Sequence, residues 1–212
     1  MLKKNLLYYP GCITNFFLKH IKSNYKKILK KIGVDFVTLD SKKIFFCCGE
    51  PLLNAGFKED FANFSKENSE KFEMLNVKTI LTNCPNCVRM FEKEYGIKAI
   101  HIVELLIDKH KIFKKHDGEK IAYFESCGMR KIGVKAENLL KNLGFVVEKV
   151  SDCCGAGGNL KYNSPKLAKS IAKELLKSIK TKKIVTCCPL CYLHLSEASK
   201  DKEIIELSEI LE

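Results

Sequence analysis

Ten of the eleven cysteines in this chain fall into two ordered sets. Cys12, the adjacent pair Cys47-Cys48 and the Cys84-x-x-Cys87 pair make the first. Cys127, Cys153-Cys154 and Cys188-x-x-Cys191 make the second. Each adjacent pair runs directly into glycine, as Cys47-Cys48-Gly49-Glu50-Pro51 and as Asp152-Cys153-Cys154-Gly155-Ala156-Gly157-Gly158. Thiolates in groups are ligands for zinc or for iron–sulfur clusters. Disulfides explain the pattern poorly: the number is odd, no secretory leader is legible, and neighbouring cysteines make distorted bridges. Buried structural thiols do not explain the repeated order. Zinc takes four tetrahedral ligands and would leave one cysteine of each five spare. Iron–sulfur clusters take four thiolates as a rule, but no ferredoxin-type run of Cys-x-x-Cys steps occurs. Ligands from three loops, two of them adjacent, suit an irregular polynuclear site better than a single zinc ion.

The elements that must position these residues read as strands alternating with helices. Leu6 to Tyr9 predicts a buried strand that turns at Pro10-Gly11 and delivers Cys12. Phe17, Ile21, Tyr25, Ile28 and Ile32 predict a helix stopped by Gly33. Val34 to Leu39 alternates like a strand, and Phe45-Phe46 leads into Cys47. Phe57, Phe61, Phe64, Phe72 and Leu75 mark a long helix, and Thr79 to Thr82 a strand ending at Cys84. Proline fits a first helical turn, so Cys84-Pro85-Asn86-Cys87 opens a helix with Cys84 at its N-cap. There the helix dipole and free N–H groups favour thiolates. Ala99 to Ile102 predicts a strand and Val103 to Ile107 a short helix.

The second half repeats the order. Ile121 to Phe124, Val146 to Val150, Ile184 to Thr186 and Ile204-Ile205 are its strands. Helices run through Leu139, Leu140 and Leu143, through Leu167, Ile171, Leu175 and Ile179, from Cys188-Pro189-Leu190-Cys191, and over Leu207 to Leu211. The offsets between the five matching cysteines are 115, 106, 106, 104 and 104 residues. The expected fold is α/β: two similar halves, each a small mainly parallel sheet flanked by helices, related by a pseudo-twofold axis. The expected domains are residues 1–110 and 119–212, with Lys109 to Gly118 as the linker. The cysteines fall where strands end and helices begin, the place where open α/β sheets build their sites.

Composition sets outer limits. The 212 residues are 46% hydrophobic, which excludes disordered and collagen-like classes. No apolar run approaches the roughly 18 residues a membrane helix needs. Met1 to Pro10 reads as a first strand rather than a leader, so a cytoplasmic protein is expected. The formal charge of +12 comes from lysines, such as Lys26, Lys27, Lys30 and Lys31, on predicted helix faces; Arg89 and Arg130 are the two arginines. No nucleic-acid motif accompanies them, and no nucleic-acid partner is expected. Solvated helices explain this charge; a docking face for an acidic partner competes.

The chain resembles the tandem cysteine-rich CCG-domain proteins, such as the B subunit of heterodisulfide reductase and the cysteine-rich subunits of glycerol-3-phosphate, lactate and glycolate oxidation systems. Tyr9-Pro10-Gly11-Cys12, Cys47-Cys48-Gly49, Cys84-Pro85-Asn86-Cys87, Cys127-Gly128, Cys153-Cys154-Gly155-Ala156-Gly157-Gly158 and Cys188-Pro189-Leu190-Cys191 carry the resemblance, which spans nearly the whole chain. It implies a noncubane [4Fe-4S] cluster for each complete motif, ligated by the ten cysteines named above and using both adjacent ones. In some relatives one site holds zinc. It implies an oxidoreductase subunit that carries electrons through two clusters to a disulfide, a quinone or another acceptor. Several relatives carry a fused ferredoxin-like part. None stands here, so electrons are expected from a ferredoxin-like or flavin-containing redox subunit, with any peripheral membrane association made through that partner. The short spacing from Cys127 to Cys153 departs from the pattern and bears on the second cluster's type. The competing functions are a zinc-stabilised binding or assembly module, and a thiol–disulfide protein using the two Cys-x-x-Cys pairs.

Other residues carry paired readings. Cys187, which faces Asn83 in the repeat, is a buried spare rather than a ligand. His194, three residues beyond Cys191, is a proton donor or ligand on the one reading and a core or surface histidine on the other. Arg89 and Arg130 bind an acidic group or form ordinary salt bridges. Glu50 and Glu125 flank the motifs as candidates for proton transfer.

Overall fold

The computed structural model describes residues 5–39 and 47–211. The expected approach through Phe45-Phe46 and the first four residues lie outside them. The chain forms two compact units, Met1–Ile102 and Val103–Glu212. In the first, β1 (Leu6–Tyr8), α1 (Gly11–Phe16), α2 (Lys19–Lys31), β2 (Val37–Thr38), α3 (Glu50–Asn54), α4 (Lys58–Met74), β3 (Thr79–Thr82), α5 (Pro85–Glu94) and β4 (Lys98–His101) follow in order. In the second, the order is α6 (Val103–Leu106), β5 (Lys120–Glu125), α7 (Gly133–Asn142), β6 (Val146–Ser151), α8 (Leu160–Asn163), α9 (Pro165–Ser178), β7 (Lys183–Thr186), α10 (Pro189–Ala198) and β8 (Glu203–Glu206).

Among the described residues each unit holds one four-stranded parallel sheet, ordered β2-β1-β3-β4 and β6-β5-β7-β8. Strands buried on both faces explain this arrangement: Leu6, Leu7 and Tyr8 are all buried, as are Ile121 to Glu125. In both sheets the strand order reverses beside the unit's first strand, which makes a crevice at the carboxyl ends of β1 and β3, and of β5 and β7. Cys12 and Cys84 stand at the first of these points, Cys127 and Cys188 at the second.

Several elements differ from their sequence expectations for local reasons. The first helix breaks at Leu18, which takes φ −124° and ψ 57°, so Phe17 is exposed and the packed face of α2 is Ile21, Tyr25, Ile28 and Leu29. Only Val37 and Thr38 of the expected Val34–Leu39 strand pair with β1. Phe57 and Leu75 flank α4 and face solvent. Leu167 also faces solvent. The buried face of α9 is Ala168, Ala172, Leu175 and Leu176. Small residues at 168 and 172 bring this helix close to the sheet, a packing signal weaker in hydropathy than the leucines around it.

The division between units precedes the Lys109–Gly118 stretch. Ile107–Ile112 forms a 3-10 helix that packs with α6 against α7. His116 N–H donates to the Leu143 carbonyl (2.7 Å), Gly118 N–H donates to the Gly144 carbonyl (3.0 Å), and the His116 ring stacks on Phe145 with centroids 4.1 Å apart. This stretch is therefore fastened to the second unit.

Candidate metal centres

The three loops that carry the cysteines start from strand ends and run into helix starts. Cys84 caps α5 with extended backbone (φ −111°, ψ 112°), Pro85 takes the first helical position, and Cys87 follows one turn on. Cys188, Pro189 and Cys191 repeat this on α10 (φ −123°, ψ 113°). The threonine ending each strand holds the geometry: Thr82 Oγ1 accepts from the Cys84 N–H at 3.1 Å and Thr186 Oγ1 from the Cys188 N–H at 3.4 Å. Gly11 takes φ +79°, and a Cβ there would stand 3.3 Å from Cys84 Cβ and 3.5 Å from Cys87 Sγ. Glycine at 11 thus leaves the room between Cys12 and the α5 pair.

In the first unit the five sulfurs form one run. Hydrogen bonding from the Cys12 and Cys48 thiols, with the Gly49 N–H 3.4 Å away, holds Cys47 down to about 3. Donation to Cys47, and then burial, pushes Cys12 far up. Cys87 touches both Cys48 and Cys84 and is pushed up by those contacts, while its thiol stabilises the Cys84 thiolate. Tyr9 is buried among Cys87, Cys48, Cys47 and Cys12. Burial raises its hydroxyl well above the usual tyrosine range, and the sulfurs add to that.

The second unit is more open. Cys154 Sγ lies 3.1 Å from Cys191 Sγ, and Cys191 also bonds to Cys188. The Cys191 thiol favours the Cys154 thiolate. Gly155 N–H donates to Cys153 Sγ at 3.4 Å, as Gly49 does to Cys47. Cys153 and Cys127 are exposed. Burial, and then the neighbouring Cys153, Cys154 and Cys188, push Cys127 up. Each unit thus gathers all five of its cysteines. Among the described residues, no three Cys, His, Asp or Glu side chains group as a single bound ion requires.

Several supporting residues escaped sequence reasoning. Asn68, buried on α4, donates to the Cys47 carbonyl (3.0 Å) and to Tyr95 Oη (3.2 Å), and Tyr95 donates to the Cys48 carbonyl (3.2 Å). Nothing in local spacing marks residues 20 to 47 positions away as supports for the adjacent pair. Asn83 bridges Tyr8, whose hydroxyl donates to Oδ1 at 3.2 Å, and Thr14, which accepts from Nδ2 at 3.0 Å. This buried bridge ties β1, the Cys84 turn and α1 together. Asn83→Leu should therefore cost about 2–3 kcal/mol, since it removes both hydrogen bonds of a buried bridge; chemical denaturation checks it. Cys187, completely buried, occupies the matching place in the second unit.

The paired readings resolve individually. Arg89 forms a 2.7 Å ion pair with Glu50 Oε1, and Asn86 Nδ2 donates to Glu50 Oε2 at 3.0 Å. His194 is buried and its Nε2–H donates to the Ala168 carbonyl at 3.1 Å; no described hydrogen bond joins it to a cysteine. Arg130 faces Glu125, which is buried and takes bonds from Lys149 (2.8 Å) and Ser151 (2.7 Å). Burial alone would raise the Glu125 carboxyl, but these partners outweigh it and hold it below the usual range. A Cβ on Gly133 would overlap this carboxylate, so Glu125 fixes the start of α7 beside the Cys127 loop. Glu125→Ala is expected to cost about 2 kcal/mol, read as a lower melting temperature.

The profile of the cysteine-rich domain designated CCG matches twice, over residues 6–92 and 121–196. This chain belongs to the CCG cysteine-rich domain family. It is 26% identical to the B subunit of the CoM/CoB fumarate reductase of Methanothermobacter marburgensis, over 97% of this chain and 45% of that one. It is 27% identical to the D subunit of the dihydromethanophenazine:CoB–CoM heterodisulfide reductase of Methanosarcina acetivorans, over 99% and 58%. It is 24% identical to lactate utilization protein A 2 of Bacillus cereus, over 94% of both. The chain thus spans about half the length of the first two. Among its described residues no helix is long and apolar enough to cross a membrane.

Proposed function

We propose that this chain is an iron–sulfur electron-transfer subunit of an oxidoreductase, with one four-iron, noncubane cluster in each unit. The carrying observation is the all-thiol donor set that each unit assembles from three loops at the switch point of its sheet. The residues suit such a group: the donors are soft sulfur, and N–H groups from Gly49 and Gly155 point at Cys47 and Cys153. The ligands are Cys12, Cys47, Cys48, Cys84 and Cys87 in the first unit, and Cys127, Cys153, Cys154, Cys188 and Cys191 in the second. A cluster held there supplies one-electron chemistry, at a potential set by burial and by hydrogen bonds to its sulfurs.

The chain's own contribution is placement and environment. Asn68 and Tyr95 fix the carbonyls of the first adjacent pair, and Thr82 and Thr186 fix the Cys84 and Cys188 amides. Beside Cys84 the first unit sets Glu50, Asn86 and Arg89, where the repeat places Ala156, Leu190 and Leu193 in the second. At these three positions the first site is therefore polar and the second apolar, which favours different potentials for the two clusters. The relative named for heterodisulfide reductase favours a disulfide as the acceptor, with electrons from a ferredoxin-like or flavin-containing partner.

The test is iron, sulfide and zinc content with an EPR spectrum, on protein purified without oxygen. About eight irons with matching sulfide support the proposal and direct the next assay to disulfide reduction. Stoichiometric zinc without sulfide overturns it in favour of a zinc-stabilised binding module. One cluster and one zinc would leave electron transfer to a single unit.

A further inference from the structure

Between Lys161 and Lys202 the chain carries ten lysines and three acidic residues. Lys166, Lys169, Lys173 and Lys177 recur along α9 at steps of three and four, all exposed, opposite the packed face of Ala168, Ala172 and Leu175. Lys161 pairs with Glu197 and Lys177 with Glu174, and Lys202 turns onto the carbonyls of Ile179 and Thr181. Lys166, Lys169, Lys173 and Lys200 make no ion pair among the described residues. A row of like charges three and four residues apart destabilises a helix slightly, so folding does not account for it.

The stripe borders a groove between α9 and α10. A cavity of about 160 Å³, touched by Lys161, Lys169 and His194, meets a second of about 470 Å³, touched by Lys173, Lys177 and Lys200, at Ala198. Leu176 and Ala198 give the groove an apolar floor within a rim in which lysines outnumber the two acidic residues, Glu197 and Asp201, the anatomy of a protein interface more than of a flat membrane-binding face. Both walls start beside the second cysteine set, and the larger cavity lies at their far end, about 15 Å along α10 from Cys188. Helix α10 opens at Cys188 and carries Cys191. A Cβ on Gly155 would meet Ile171 Cβ at 3.0 Å and the Ala168 carbonyl at 3.1 Å, so the adjacent-cysteine turn rests on α9. This is also the unit whose Cys127 and Cys153 are exposed, whereas no cysteine of the first set is fully exposed.

We propose that the α9–α10 groove docks a small acidic electron-carrier protein that exchanges single electrons with the second unit. The inference rests on the iron–sulfur reading above: the electron leaves the reduced carrier and enters the cluster, with no bond made or broken. Opposite charge steers the encounter, and the apolar floor holds the short-lived complex.

The experiment measures equilibrium binding of a labelled acidic ferredoxin to the anaerobically purified chain, with iron determined on the same sample. Binding should weaken about tenfold or more between roughly 20 and 200 mM salt. It should weaken at least as much in K166E/K169E/K173E/K200E. The matched reversal on α2, K19E/K27E/K30E/K31E, should leave it unchanged, which separates a docking face from net charge. Equal loss in both variants overturns the proposal. So does the absence of binding by both the ferredoxin and an acidic flavodoxin. So does a groove variant that loses binding only to vesicles of phosphatidylserine and phosphatidylcholine or to duplex DNA. Absence of iron with groove-dependent binding intact would defeat the iron–sulfur reading and leave the docking surface standing.

Discussion

With the proposed cluster in each unit, Cys154→Ser should empty the second unit and leave the first unit loaded, lowering iron from about eight per chain to about four. Cys154 is buried, lies 3.1 Å from Cys191 Sγ and follows directly on Cys153. A serine oxygen is a harder and far less acidic donor, and the site's remaining thiols do not replace it. Cys48→Ser should do the reverse, because Cys48 links Cys47 to Cys87 in the first unit's run of sulfurs. The EPR signal that survives in each variant would then belong to one unit alone. Cys187→Ser is the control. That thiol fills the position of Asn83 and has no counterpart among the five cysteines of the first set, and its loss should leave the iron content unchanged. Equal loss from both units in the Cys154 variant would contradict two self-contained sites.

Gly155→Val should destabilise the second unit by about 3 kcal/mol or more, and take much of its metal with it. Gly155 takes φ +82°, a region that β-branched residues avoid. The new Cβ would press on Ile171 and on the Ala168 carbonyl of α9. A backbone carbonyl within a packed helix cannot swing aside as a long side chain can. The strain must therefore move the Cys153-Cys154 turn or the helix, and the sulfurs move with it. Gly157→Ala, two residues on, is the comparison: nothing lies within 4 Å of its Cβ position. Its effect should stay within about 0.5 kcal/mol. Thermal melting and iron analysis of the two variants check the pair, and similar losses in both would show that the turn is simply intolerant of side chains.

Much of the fold was legible because parallel strands buried on both faces are short apolar runs bounded by turns. Thr79 to Thr82 appears as expected, and Ile121 to Phe124 sits within the longer β5. The Cys84-Pro85 and Cys188-Pro189 helix starts were also legible, because proline at the first helical position is a local signal. Errors gathered where local and tertiary preferences conflict. Phe17 and Leu167 fit a helical period yet face solvent, and alanines take the packed face of α9. Lys109 to Gly118 looked like a linker because it is polar, but hydrogen bonds to Leu143 and Gly144 bind it to the second unit. Such long-range bonds leave no trace in composition.

The sequence by itself determined the inventory: ten cysteines in two ordered sets, glycine after each adjacent pair, and the alternation of strands and helices that makes two parallel sheets. These are local facts of residue type and spacing. Only the tertiary structure decided which groups surround the sulfurs and how far water reaches them. Asn68 and Tyr95 meet the first adjacent pair only because α4 and α5 pack beside it. Glu50 meets Arg89 across 39 positions of chain, and the basic groove exists only where α9 lies against α10. The difference between a first site whose cysteines are buried or half-buried and a second whose Cys127 and Cys153 are exposed is likewise a matter of packing, since both sets contain five cysteines in the same order.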